Sequence, residues 1–305
     1  MSAQLATIEP AQHDRRRYIG GSDVAAVLGI SPWRTPLDVF MDKVGAARDE
    51  SPDPGRERVL NRGKRMEPYV LDLLAEETGL RITGRGNRYV DREHDFIAAE
   101  IDAEAATGEN IEIKTVSPFK AREWGDEQTD AIPVHYTAQA MHGLMVTGAE
   151  VCVFGVLIGG DDFRVYRVLR DDETIAAIRA REVAFWQHVV TGVAPEPSTA
   201  SDIARMFDRD AGTCVEADAD TFADCQRLRA LKASIKASSE EADALEERIK
   251  LAMRDAATLT FDGKPLATWK TQTARRFNQR AFTEAHPDLA EQFKTASDSR
   301  VFRIR

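Results

Sequence analysis

Glu112, Ile113 and Lys114 sit in a stretch that alternates like a strand, so Glu112 and Lys114 project to one face while Ile113 points back into a core. A carboxylate and an ammonium thus share one surface. Asp102, at the end of the preceding strand-like stretch and across a short hairpin, can swing its carboxylate to the same side. Two carboxylates and the Ile113 backbone carbonyl are hard oxygen donors, suited to Mg²⁺ or Mn²⁺ rather than to zinc. Phosphodiester hydrolysis needs such a set, because a divalent ion lowers the pKa of the attacking water and a second ion can stabilise the leaving oxygen. Lys114 can orient that water, or take its proton if nearby cations depress its own pKa. Glu67 can add a further ligand, and Gln139 can bond the water or a phosphate oxygen.

These residues must be positioned by ordinary elements. The sequence predicts a short helix over 22–29 with Ser22 as its N-cap and Gly29 as its stop, and a second over 37–44 ending at Gly45. Residues 48–58 read as a charged, Pro-rich loop. A helix follows with Pro68 in its first turn, Glu67 at its beginning and Gly79 as its stop. Strands are expected over 88–90, 96–102 and 110–116, with a turn at Thr107-Gly108, then a helix over 133–145 ending near Gly148. A hairpin spans 151–158 and 163–169, and a long helix runs over 172–190 to Gly192. The fold class this pattern supports is α/β, a mixed sheet of four or five strands flanked by helices.

A C-terminal helical, coiled-coil-like extension with a small β element completes the expected architecture. Residues 193–201 read as a linker between a first domain at 1–192, which carries the acidic set, and this extension at 202–305. In the extension Leu228, Leu231, Ile235, Ser238, Ala242, Leu245, Ile249 and Ala252 recur at alternating steps of three and four, the spacing of a coiled-coil seam. A turn at 261–265 between two short strands, a helix over 280–293 and a final strand over 300–305 close the chain.

Composition bounds the function. The chain of 305 residues is 43% hydrophobic and 30% charged, which fits a folded protein and excludes low-complexity classes. No apolar run approaches the roughly 20 residues that span a bilayer, and the first residues lack the apolar stretch of a secretory signal, so a cytoplasmic protein is expected, with no membrane partner. Cys152, Cys214 and Cys225 follow no metal-ligand spacing and are expected to be reduced. The net charge of −10 argues against a uniformly basic nucleic-acid coat. Basic residues concentrate instead at Arg15, Arg16 and Arg17 and after residue 263, where nine Lys or Arg stand against four Asp or Glu.

The ordered set Glu67, Asp102, Glu112, Lys114 and Gln139 resembles the PD-(D/E)XK nuclease superfamily. Within it, the RGKRMEP stretch around Glu67, the IGGSD opening at 19–23 with SPW at 31–33, and Tyr136-x-x-Gln139 are similar to the YqaJ-type viral recombinases, the phage lambda exonuclease family. Ile101 stands before Asp102 where the superfamily name has Pro. The likeness covers roughly residues 15–190, and the extension also looks like that of longer members. It implies a restriction-endonuclease-like core and, in a bacterial host cell, a Mg²⁺-dependent 5′-to-3′ exonuclease that digests one strand of linear double-stranded DNA for recombination with a single-strand annealing partner. It also implies a ring-like homo-oligomer, and a 5′-phosphate site at Arg15 and Ser22.

The residues leave alternatives open. The same core serves endonucleases of restriction or resolvase type, and a dead core could serve a DNA-end binding protein. Arg16 or Arg17 could replace Arg15. His135 and His142 are expected to be structural, and Trp33 either stacks on a terminal base or packs in a core.

Overall fold

The computed structural model describes residues 14–46, 54–296 and 298–305. Two compact units divide at Met206 and Phe207. Residues 200–206, placed by the sequence at the end of the linker and the start of the extension, thus belong with the first unit.

The first unit opens with a 3₁₀ turn at Arg15–Arg17, then α1 (Gly21–Val27), α2 (Pro36–Lys43) and α3 (Pro54–Thr78). Strands β1 (Ile82–Val90), β2 (Ala98–Ala105) and β3 (Asn110–Val116) follow. Helix α4 (Val134–Thr147) crosses to β4 (Val151–Ile158), which turns into β5 (Asp162–Leu169), and α5 (Asp172–Thr191) and α6 (Ala200–Met206) complete the unit. The five strands form one sheet in sequence order, antiparallel except for the β3–β4 pair. That parallel pair is the reason for α4, since parallel neighbours need a crossover whereas antiparallel ones need only a turn.

Two apolar layers cover the sheet. Val70, Leu71 and Leu74 of α3 pack on Ile111, Ile113, Val153 and Leu157, while α1, α2, α4 and α5 build the larger core around Ile101, Phe154, Val156 and Tyr166. Leu74 is fully buried, so Leu74→Ala should cost about 2–5 kcal/mol. Glycines end α4 and α5 as the sequence predicts: Gly148 and Gly192 take φ of 80° and 69°, a left-handed conformation that side chains disfavour. Helix α6 is fastened to the N-cap of α2, where Asp202 accepts hydrogen bonds from Thr35 Oγ1 at 2.9 Å and from Arg205 at 2.7 Å.

Some expectations are corrected. Helix α3 begins at Pro54, not near Pro68, so Glu67 lies in mid-helix and the expected loop over 48–58 gives way to helix from Pro54; residues 47–53 lie outside the described residues. Pro68 removes one main-chain bond, yet the apolar face after it is buried against the sheet and keeps the helix continuous. Ser22 is not the N-cap of α1. Gly20 is, and Asp23 Oδ2 accepts its amide hydrogen at 3.2 Å.

The second unit holds α7 (Ala219–Met253), a hairpin of β6 (Thr258–Phe261) and β7 (Lys264–Thr268), and the short helices α8 (Gln279–Ala285) and α9 (Pro287–Gln292). The expected helix over 280–293 is thus interrupted before Pro287, because proline disfavours helical backbone in the residue preceding it. No strand forms over 300–305, whose strand-like alternation finds no ladder among the described residues. Leu231, Ile235, Leu245 and Ile249 of the α7 seam are exposed.

Candidate active site

Strands β2 and β3 pair at Ala103–Ile111 and Glu104–Asn110. At the next step a side chain takes over: Asp102 Oδ2 accepts the Ile113 amide hydrogen at 2.8 Å. This bond fixes the Asp102 carboxylate beside the main chain of β3 while the two strands part. The Ile113 side chain is buried against α3, so alternation turns Glu112 and Lys114 to the opposite face, toward α4.

There Glu112 Oε2 accepts two hydrogen bonds, from Lys114 Nζ at 2.8 Å and from Gln139 Nε2 at 2.9 Å. Gln139 lies one turn after Tyr136 on α4, and the Tyr136 ring centroid stands 5.3 Å from Lys114 Nζ, a cation–π contact. The i, i+3 spacing puts both residues on one helix face. Four of the expected residues, Asp102, Glu112, Lys114 and Gln139, thus converge through observed bonds, around the Ile113 main chain.

Glu67 joins them electrostatically. Burial raises its carboxyl above the usual range, and Asp102 raises it further while Lys114 opposes. Helix α3 runs close beside β3: a Cβ on Gly63 would meet Thr115 Oγ1 at 3.5 Å, an ordinary van der Waals contact.

Glu112 is 4% exposed. Burial pushes its pKa up to about 7, against the pull of Lys114, and Asp102 and Glu67 add repulsion. Burial alone would lower Lys114, but Glu112 and Asp102 outweigh it and hold the ammonium above its ordinary value. In this arrangement the neighbouring carboxylates favour the protonated form of Lys114. Among the described residues no three His, Cys, Asp or Glu side chains are gathered as ready metal ligands. The donor chemistry nonetheless fits a hard divalent cation: three carboxylates share one lysine, and the most buried of them is destabilised by the charge of the other two.

A second cluster lies at the start of the unit. Arg15 Nη2 donates to Ser22 Oγ at 2.9 Å, so the structure brings these two expected residues together. Arg16 is turned away into an ion pair with Asp14 at 2.8 Å. Beneath them Asp23, which the sequence reading missed, accepts from Lys43 at 2.7 Å and from Arg34 at 3.0 Å. Lys43 also donates to the Arg15 carbonyl at 2.8 Å, tying the basic turn to α2.

Trp33 does not pack in the core. It is 61% exposed, with its ring edge-on to His135 at 4.7 Å and 6.2 Å from Tyr136. An exposed indole therefore stands two ring contacts from Lys114. No helix among the described residues is long and apolar enough to cross a membrane.

The chain is similar to known proteins along most of its length. Residues 12–150 match the YqaJ-like viral recombinase domain. The chain is 30% identical over 302 residues to the uncharacterized protein YqaJ of Bacillus subtilis (strain 168), covering 96% of this chain and 92% of that protein. Similar solved structures include an alkaline exonuclease (LHK-Exo) from Laribacter hongkongensis, 18% identical, covering 58% of this chain and 90% of that one with a TM-score of 0.46. A phage related exonuclease from Haemophilus somnus 129PT is 14% identical, covering 58% of this chain and 96% of that one with a TM-score of 0.39. The match along nearly the whole length shows that this chain belongs to the YqaJ family of viral-recombinase-like proteins.

Proposed function

We propose that the chain is a Mg²⁺-dependent exonuclease that digests one strand of linear double-stranded DNA from its 5′ end, for phage-type recombination by single-strand annealing. The observation that carries this reading is the convergence of Asp102, Glu112, Lys114 and Gln139 around the Ile113 main chain at the point where β2 and β3 part. Family membership and the Arg15–Ser22 contact support it.

Asp102, Glu112, the Ile113 carbonyl and Glu67 would hold Mg²⁺, or Mn²⁺ in its place, as two ions per site. When bound, the ion supplies a water of lowered pKa and offsets charge on the phosphate oxygens. Lys114, protonated, orients the attacking water or donates to a phosphate oxygen. Gln139 bridges Glu112 to the same region and can hold either group by hydrogen bonding. Arg15 and Ser22 together offer a guanidinium and a hydroxyl to a terminal 5′-phosphate, a charge-assisted pairing. Successive digestion from that end would leave single strands for an annealing protein. A ring-like homo-oligomer would keep the substrate threaded.

The test is a duplex labelled at either end of one strand and incubated with Mg²⁺ or with chelator. Early release of the 5′ label, abolished by chelator, is expected. Early release of the 3′ label, or chelator-resistant digestion, would contradict the reading.

A further inference from the structure

His142 is fully buried on α4, one turn after Gln139, and both of its ring nitrogens are engaged. Nε2 lies 2.9 Å from the Ala98 carbonyl and Nδ1 lies 2.7 Å from Glu182 Oε1. A carbonyl only accepts, so Nε2 must carry a hydrogen. Nδ1 then either bears a second hydrogen facing a carboxylate or accepts one from a carboxylic acid. In both cases the pair holds one proton between His142 and Glu182. The other Glu182 oxygen, Oε2, is buried with no hydrogen-bond partner among the described residues, an arrangement that cores normally avoid.

The partners of this ring are the elements of the site. Ala98 begins β2, the strand that carries Asp102, and its amide donates to the Ile19 carbonyl at 3.0 Å, just before the Gly20–Ser22 segment. Gln139, on the same helix as His142, donates to Glu112. Helix α1 approaches so closely that a Cβ on Gly21 would stand 3.3 Å from Gln139 and 3.7 Å from His142. On α5, one turn before Glu182, Arg179 grips Asp91 at 2.6 and 2.8 Å, so the same helix also clamps the end of β1.

We propose that His142 is a positioning residue for the active site, locking the Asp102 strand to the Gln139 helix, with Glu182 fixing the proton that makes both bonds possible. The functional half of this inference rests on the nuclease reading; the positional half does not. A donor at position 142 sets where the two elements sit, and displacement of reacting groups by about 1 Å can cost about a hundredfold in rate.

Three variants of the full chain test it: His142→Phe, which keeps the ring shape but loses both bonds; Glu182→Gln, which can donate to Nδ1 of a neutral ring; and Glu182→Leu, which cannot. Amide hydrogen exchange over 97–102 and 134–147 is measured beside kcat and KM for linear duplex. Expected for His142→Phe and Glu182→Leu is exchange faster by at least about tenfold, and kcat lower by at least about tenfold with KM within about twofold. Glu182→Gln is expected to stay near wild type in both.

Unchanged exchange and kcat in folded His142→Phe would overturn the proposal. Should that variant not fold, the Glu182 pair decides, and equal effects of Gln and Leu would overturn it. Should the wild-type chain fail to digest DNA, the nuclease reading falls and exchange alone decides the positioning claim.

Discussion

The Asp102 carboxylate and the Ile113 amide are joined by a 2.8 Å hydrogen bond where the β2–β3 ladder gives out. The bond fixes an acidic side chain at the opening between two inner strands of the sheet. It also separates two roles of Asp102, since an amide oxygen can accept the same hydrogen but carries no charge. Asp102→Asn is therefore expected to change stability by less than about 1.5 kcal/mol while lowering Mg²⁺-dependent digestion by about 10²–10⁴-fold. Thermal melts and initial rates on linear duplex check this; a variant with wild-type rate would remove Asp102 from the site.

Arg15 and Ser22 touch, whereas Arg16 is occupied by Asp14. Arg15→Ala is expected to erase most of a preference for 5′-phosphorylated over 5′-hydroxyl ends, and Arg16→Ala to leave it. A bidentate charge-assisted contact of this kind contributes about 1.5–3 kcal/mol, roughly a ten- to hundredfold preference. Equal wild-type rates on both ends would dispose of the phosphate pocket.

Trp33 presents an exposed ring beside His135 and Tyr136. Base stacking on an aromatic contributes about 1–3 kcal/mol, so Trp33→Ala should weaken binding of a duplex end several-fold or more, with Trp33→Phe between it and wild type. Fluorescence anisotropy with labelled duplex in Ca²⁺ would show it. Identical affinities for all three proteins would mean that no base rests there.

The buried His142–Glu182 pair has a pH signature. Burial disfavours the His142 imidazolium, but the Glu182 carboxylate, the Ala98 carbonyl and Asp23 of α1 outweigh it and raise its pKa above the ordinary 6.5. Arg179 faces Glu182 from the same helix. A raised folded-state pKa stabilises fully below the unfolded value and is lost as pH rises through the folded one. The melting temperature should thus decline above the ordinary imidazole range, and more steeply in wild type than in Glu182→Gln. Parallel slopes for the two proteins would refute the shared proton.

Much of this was legible in the sequence because it rests on local rules. Alternation alone put Glu112 and Lys114 on one face, and single glycines such as Gly148 and Gly192 marked helix ends that the structure confirms. Other features depend on context. Pro68 reads locally as a helix start, yet α3 continues through it because the apolar face beyond is buried by the sheet. Ser22 reads as a cap, but Gly20 and Asp23 already complete that box, leaving the hydroxyl to Arg15. His142 and Glu182 lie 40 residues apart with no shared pattern, and only the packing of α4 against α5 joins them.

The exposed seam of α7 invites self-association. Leu231→Asp with Ile235→Asp should lower the mass measured by light scattering, while a wild-type chain already monomeric would contradict the expected homo-oligomer.

The most direct test of the central claim is incubation of the chain with 5′-phosphorylated linear duplex and with covalently closed circular duplex in Mg²⁺, beside Lys114→Ala. The expected result is progressive loss of the linear DNA, an intact circle and an inactive variant. Cutting of the circle, or digestion by Lys114→Ala at the wild-type rate, would contradict an end-dependent nuclease built on Asp102, Glu112 and Lys114.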